Sequence, residues 1–338
     1  MNPRVTIAEI AACAGVSVPT VSKVLNGRPD VSRETRVRIE ALLAEHDYVR
    51  AGTRSRRRAG VVDLVFTELT PWSLEIIRGA EAAAREGRSR IVVEVVAGAA
   101  DRDSWLDRLA AGQTHGLILV LTELSAAHRE RLAELHIPVV IVDPVGQPDP
   151  RIPSIGAANW AGGLAATEHL LELGHRRIGT VTGPAALLCS QARLDGYRAA
   201  LERDGIQADP RLIRSGDFHH ESALLAAGGM LRLPDRPTAI FAGSDEQALG
   251  VYEAARRQGL RVPEDLSVVG FDDVAPSGWA SPPLTTVRQP LAQMAAMATQ
   301  TLLSLTEGTH PVNHRVELAT ELVVRDSTAP PGVHSGTS

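Results

Sequence analysis

Apolar residues recur at helical spacing over the first forty-five positions and in short unbroken runs after residue 60. The two patterns predict two kinds of structure. Ile7, Ile10, Ala11 and Ala14 fall three and four apart, and Thr6-Ile7-Ala8-Glu9 opens them as a capping box, in which Thr6 and Glu9 satisfy first-turn amides. Gly15 breaks this helix. Ser17 caps a second helix that runs through Lys23-Val24-Leu25, with Pro19 in the first turn, where a missing N–H costs nothing. Asn26-Gly27 and Arg28-Pro29 end it. Ser32 caps a third helix with the stripe Val37, Ile39, Leu42 and Leu43. Helix, three-residue turn, helix, then a support helix is the helix-turn-helix pattern.

Beyond residue 60 the runs are those of buried parallel strands. Strands at 61–66, 91–96, 117–121 and 138–142 alternate with helices at 73–86, 101–111 and 125–135. A second set follows, with strands at 177–182, 211–214, 238–242 and 266–270 and helices at 190–204, 219–231 and 244–258. Each set predicts a doubly wound α/β sheet, so the fold class is an all-α headpiece followed by a two-lobed α/β body. Crossovers fall near 157–160, 285–289 and the C-terminal strands 312–324, and a helix at 290–305 returns to the first lobe. The domain division is 1–49 headpiece, 50–60 linker, 61–325 two-lobed body and 326–338 disordered tail, the last from its Ser, Thr, Pro and Gly content.

Charge sharpens this division. Residues 1–60 hold eleven basic and six acidic side chains, a net of +5, which leaves −10 on the rest of a chain whose formal total is −5. A basic head on an acidic body predicts an anionic partner at the N-terminal end. Lys23 is the only lysine; every other Lys/Arg position is Arg. No apolar run approaches the roughly 20 residues that cross a bilayer, and MNPRVTIAEI has no signal-peptide core. Cys13 and Cys189 share no metal-ligand spacing and read as reduced, buried thiols. A cytoplasmic protein with no membrane partner, no metal and no cofactor follows.

The body binds a small molecule, if it binds one, at the carboxyl ends of its strands. The polar residues there are Thr122, Asp143, Asp217, Ser244, Asp245, Asp272 and Asp273; the aromatics nearby are Trp72, Phe218, Phe271 and Trp279. Carboxylates that accept from hydroxyls, beside rings that cover C–H faces, suit a polyhydroxyl ligand. The bland readings are turn chemistry for Asp272 and Asp273, core packing for Phe218 and an ion pair for Arg193. His219-His220-Glu221 reads as a solvated cap rather than a metal site, because adjacent helical residues point apart. A transported-solute receptor would carry a signal peptide and no helix-turn-helix. A sugar-phosphate enzyme would need a Gly-rich phosphate loop and a proton-transfer set. The sequence displays neither, so it reads as a non-enzyme.

VTIAEIAACAGVSVPTVSKVLNGRPDVSRETRVRIEALLAEHDY resembles the DNA-binding headpiece of the LacI/GalR family of bacterial transcription regulators. LGHRRIGTVTGP, ARLDGYRAAL, AIFAGSDEQALG, LSVVGFDD and PPLTTVRQP resemble that family's effector domain, which is similar to periplasmic sugar-binding proteins. The resemblance implies that Val18, Pro19 and Lys23 meet base edges in the major groove, and that Thr6, Ser17, Thr20, Ser22, Asn26 and Tyr48 hold phosphates. It places a DNA-folded hinge at 50–58, where the family's minor-groove Leu is absent. Arg54, Arg56 and Arg57 are left either to enter a narrowed minor groove or to touch phosphates only. Around the effector it places Thr70, Trp72, Asp143, Cys189, Arg193, Phe218, Ser244, Asp272 and Gln289; Thr122 joins them from its strand end. Cys189 and Ser244 depart from the hydroxyl and Asn common there. The implied function is a homodimeric repressor of carbohydrate genes on a pseudo-palindromic operator, controlled by a mono- or oligosaccharide in preference to a purine. Inducer and co-repressor remain equally open.

Overall fold

The computed structural model describes residues 7–25, 31–45, 60–112, 114–121, 125–147 and 149–332. The chain divides into two compact units at Arg58. In the first, α1 (Ile7–Ala14), α2 (Val18–Leu25) and α3 (Arg33–Glu45) bury Ile10, Ala11, Ala14, Val21, Val24 and Ile39 together. Gly15 makes the turn with φ 64°, a conformation that side chains with a Cβ resist. Val37 departs from the expected stripe: Ile39 points inward, and two residues earlier on a helix lies on the other side, so Val37 is 58% exposed. Cys13 is exposed for the same reason, opposite the buried Ile10, Ala11 and Ala14. Thr6 of the capping box and the Asn26–Pro29 helix stop lie outside the described residues.

The second unit has two lobes. The first lobe carries β1 (Val61–Phe66), α4 (Pro71–Glu86), β2 (Arg90–Val95), α5 (Ala99–Ala111), β3 (Thr114–Val120), α6 (Ala126–Glu134), β4 (Val139–Val142) and β5 (Ser154–Ala157). The chain then crosses over. The second lobe carries α7 (Asn159–Glu172), β6 (Ile178–Thr182), α8 (Leu188–Arg203), β7 (Ile213–Ser215), α9 (His220–Leu231), β8 (Ala239–Ala242), α10 (Asp245–Arg257), β9 (Ser267–Asp272), the short α11 (Ala275–Trp279) and β10 (Thr285–Arg288). A second crossing returns α12 (Leu291–Thr306) and β11 (Arg315–Leu318) to the first lobe, and a third brings β12 (Glu321–Val323) to the second.

The sheet orders are β11-β5-β4-β3-β1-β2 and β12-β10-β9-β8-β6-β7, parallel except for β12 on β10. Period-2 alternation divides the apolar residues between faces: Val62, Leu64 and Phe66 pack on α4 and α12, while Val65 packs with Trp105 and Leu106 of α5. Among the described residues no helix is long and apolar enough to cross a membrane.

Strand β5 and the short α11 were absent from the sequence reading, and two further segments differ from it. Helix α7 was expected as a crossover only. Its sequence NWAGGLAATEHLLE has small residues where α8 comes close: a Cβ on Gly163 would lie 2.3 Å from Arg193 O, and one on Gly196 2.2 Å from Trp160 O. The proposed tail at 326–338 is in part a strap. Ser327 is fully buried, accepts from Thr285 N (2.8 Å) and donates to Val268 O (2.6 Å), while Ala329 N donates to Ser267 Oγ (3.0 Å). A polar segment without a core of its own is ordered here by lending its hydrogen bonds to β9 and β10. Residues 333–338 lie outside the described residues.

The helix crossing yields a paired prediction. Gly196→Ala should destabilise the protein by roughly 1–3 kcal/mol through overpacking. Gly229→Ala on α9, where a Cβ meets nothing within 4 Å, should stabilise it by up to about 1 kcal/mol through helix propensity. Urea unfolding of both variants tests this; equal effects would refute close packing at the crossing.

Candidate functional site

On α2, burial of Val21 and Val24 turns the other side of the helix outward. Val18 is 41% exposed, Pro19 and Lys23 are exposed, and Thr20 and Ser22 are half-buried. Exposed Ser17 caps the helix edge, its Oγ 2.8 Å from Thr20 Oγ1. An apolar step beside a single ammonium is a surface that can read base edges, and hydroxyls alongside suit phosphate oxygens. Thr6, Asn26, Tyr48, Arg54, Arg56 and Arg57 lie outside the described residues, as does all of 46–59.

Between the lobes, at the carboxyl ends of both sheets, lies a cavity of about 370 Å³. Thr70 and Trp72 at the start of α4 and Asp143 after β4 face it from the first lobe. Cys189 and Arg193 of α8, Phe218, Ser244 and Asp272 face it from the second. Thr122 lies outside the described residues. Gln289 does not line the cavity; it stands behind Asp272 and donates to its Oδ1 from Nε2 at 2.6 Å. The buried Oε1 of Gln289 has no hydrogen-bond partner among the described residues.

Arg193 organises the floor. Its Nε donates to Asn159 Oδ1 (2.8 Å) and Nη1 to Gly243 O (2.5 Å), while Nη1 lies 3.8 Å from Asp272 Oδ1. The guanidinium carbon sits 3.7 Å from the Phe271 ring centroid and 5.5 Å from that of Phe218. Arg193 is thus both an ion-pair member and a wall of the cavity. Phe218 is a wall rather than core, held by Ser244, whose Oγ donates to Phe218 O (2.8 Å) and also caps α10 by accepting from Gln247 N (3.1 Å).

Burial pushes Asp143 up to about 6 against the pull of Arg193. Burial likewise raises Asp272 well above the carboxylate range, with Arg193 and Gln289 opposing it. Burial raises Cys189 to about 11, so its thiol stays protonated and packs as a small apolar group. Behind the wall Asp245 accepts from Val274 N (2.9 Å) and Thr286 Oγ1 (2.5 Å), fixing the turn after β9. Leu121, Asp143, Phe218 and Asp272 all have left-handed φ values, 46°, 48°, 75° and 118°. Such strain, gathered on lining residues, marks a place where side-chain aim outweighs backbone comfort.

The cavity also takes residues that the sequence reading passed over, Glu68 from the first lobe and Leu249, Pro276 and Glu246 from the second, and His219, which it read as a cap. Of the strand-end candidates, Phe271 is fully buried beneath Arg193, Trp279 is 80% exposed and lies off the cavity, and Asp217 instead accepts from His219 N (3.0 Å). His219 is the N-cap residue of α9 and is partly exposed, but it does more than a solvated cap. Its side chain makes no capping bond and stands between Glu68 and Glu246. Among the described residues no three His, Cys, Asp or Glu side chains are grouped to hold a metal ion.

Residues 6–51 match the family described as bacterial regulatory proteins, lacI family, and residues 167–328 match the periplasmic binding protein-like domain. The transcriptional repressor CytR of Escherichia coli K12 is 34% identical over 330 residues, 96% of each chain. The regulator CelR of Thermobifida fusca is 35% identical, covering 96% of this chain and 98% of its own. Among solved structures, a CelR–cellobiose complex aligns with a TM-score of 0.75 at 34% identity, over 96% of this chain and all of that one. The lac repressor dimer bound to operator and the anti-inducer ONPF aligns at 0.71 and 30% identity, over 97% and 100%. The outward face of α2, the two crossed parallel-sheet lobes and these alignments along nearly the whole chain have one common meaning: the protein belongs to the LacI family of bacterial transcription regulators.

Proposed function

We propose that this regulator is a homodimeric, cytoplasmic repressor without enzymatic activity, released from or held on a pseudo-palindromic operator by an uncharged sugar bound between its lobes. The observation that carries the reading is a helix-turn-helix joined to a cleft floored by two buried carboxyls. Val18, Pro19 and Lys23 would contact bases, with Thr6, Ser17, Thr20, Ser22, Asn26 and Tyr48 on phosphates and Arg54, Arg56 and Arg57 in the minor groove. A dimer is supported by apolar side chains left outside: Val92, Val93 and Val95 on edge strand β2, and Leu225 and Trp279 in the second lobe.

Charge supports an effector without an anionic group. Glu68, Asp143, Glu246 and Asp272 line the cleft, against Arg193 as the one guanidinium among the lining residues. Arg193 already donates to Asn159 and Gly243 and stacks on Phe271. A phosphate would meet four carboxyl groups and two basic side chains, Arg193 and His219, that are already engaged by protein groups. Sugar hydroxyls instead find acceptors in Asp143 and Asp272, with Trp72 and Phe218 for the apolar ring face. The cellobiose bound to CelR makes a disaccharide the first candidate.

Three outcomes are expected. In mobility-shift assays with the DNA upstream of its own gene, the protein should give a salt-sensitive, sequence-selective shift. Lys23→Ala should lose about 1–3 kcal/mol at the one base pair it reads, whereas Arg33→Ala should weaken all sequences alike. Equal, sequence-blind losses would place Lys23 on phosphate. In thermal-shift screening, cellobiose or glucose should raise the melting temperature and glucose 6-phosphate should not, with Asp272→Ala abolishing the response while DNA binding persists. Stabilisation by the phosphate ester would overturn the uncharged class.

The third concerns pH. The folded Asp143 binds its proton more tightly than the unfolded one, so its burial costs stability that grows as pH rises from near 4 through about 6. Asp143→Asn should therefore stabilise the sugar-free protein more at about pH 8 than at about pH 5. Melting curves that shift equally at both would refute a raised Asp143.

A further inference from the structure

At the mouth of the cleft a single imidazole spans the two lobes. Glu68, in the turn after β1, belongs to the first lobe; His219, the residue before α9, belongs to the second. His219 Nε2 lies 3.2 Å from Glu68 Oε2, and Nδ1 lies 3.2 Å from Oε1 of Glu246 on α10. Both anchors are themselves held. Ser73 Oγ, at the start of α4, accepts from Thr70 N and donates to Glu68 O (3.4 Å), and Glu246 Oε1 also accepts from His220 N (3.3 Å). Asp217 Oδ1 takes the His219 backbone N–H at 3.0 Å and the Ser222 hydroxyl.

A neutral imidazole can hydrogen-bond Glu246 through Nδ1 but leaves Glu68 facing an uncharged Nε2; the protonated ring keeps that bond and adds an ion pair with Glu68. The bridge is therefore complete only in the imidazolium. The groups that face the ring are Glu68 from the first lobe, Glu246 from α10 and Asp217 from its own loop, while neighbouring His220 turns to Glu221. Burial disfavours the charge, but the Glu246 hydrogen bond and these three carboxylates outweigh it and raise the proton affinity of His219 above that of an ordinary imidazole.

We propose that His219 is the closure residue of the cleft, its imidazolium strapping Glu68 of one lobe to Glu246 of the other, so that the closed arrangement takes up a proton that the open one releases. The proposal rests on the reading of the cleft as an effector site, whose entrance the strap covers. All three side chains are partly exposed, so the pairs contribute little to folding. A weak, reversible clasp is what an entrance needs. Closure is favoured below the titration midpoint of His219 and lost as pH rises through it, which lies above the ordinary value of about 6.5.

The test uses the full-length protein with labelled histidine and no sugar. The His219 resonance is identified by its loss in His219→Gln, and its midpoint is followed by NMR. It should titrate above about 6.5, and Glu68→Gln should lower it while leaving the other ten histidines unmoved. Small-angle scattering should report a larger radius of gyration at about pH 9 than at about pH 6 in the parent protein. That pH dependence should vanish in both Glu68→Gln and His219→Gln. A His219 midpoint indifferent to Glu68→Gln, or an unchanged scattering profile across pH in the parent, overturns the clasp. Because no sugar is present, either result is independent of whether the cleft binds one, and a protein that binds cellobiose without this coupling keeps its effector site and loses the clasp.

Discussion

The guanidinium of Arg193 is the interaction on which the cleft depends. A buried charge is tolerated only when its hydrogen bonds and counter-charge are supplied. Arg193 obtains them from Asn159 at the first crossover, Gly243 at the end of β8 and Asp272 at the end of β9. Satisfying one side chain therefore gathers a crossover and two strand ends, and the ring of Phe271 closes the remaining face. Asp272 in turn fixes Gln289 on the second crossing. The point where the chain passes between lobes and the floor of the cavity are one hydrogen-bonded structure. A ligand that touches Asp272 touches, through Gln289, the second crossing between the lobes.

The floor also carries an electrostatic cost. Asp143 and Asp272 are both buried and both hold their protons more tightly than free carboxyls, and the Oε1 of Gln289 has no partner among the described residues. Left-handed backbone at Asp143, Phe218 and Asp272 adds strain at the same place. Stability has been spent on aim, which is the usual arrangement where recognition matters more than folding.

Much of this was legible in the sequence, for identifiable reasons. Parallel strands buried on both faces leave unbroken apolar runs, and the residue that ends each run stands at the sheet's carboxyl edge, so Asp143, Ser244 and Asp272 could be placed from their neighbours alone. Glu68, His219 and Glu246 could not, because Glu68 meets the other two only across the gap between the lobes, and no local periodicity encodes that. Helix α7 was hidden by Gly162-Gly163, which weaken a helix in isolation and permit it in the company of α8. The strap at 326–332 was hidden by composition. Ser327 and Ala329 look like tail residues until β9 and β10 present groups for them to satisfy.

The lone lysine has a consequence of a different kind. The chain places 34 of its 35 Lys/Arg charges on guanidinium groups, which resist acylation at neutral pH, and one on an amine. That amine stands exposed on α2, beside Val18 and Pro19. Among its side chains, an amine-directed cross-linker finds a single target, on the helix face proposed to read DNA. Lysine acetylation would erase one charge and one hydrogen-bond donor there while leaving the arginines untouched. On the proposed reading, the covalent chemistry of lysine and the recognition surface fall on the same helix, α2.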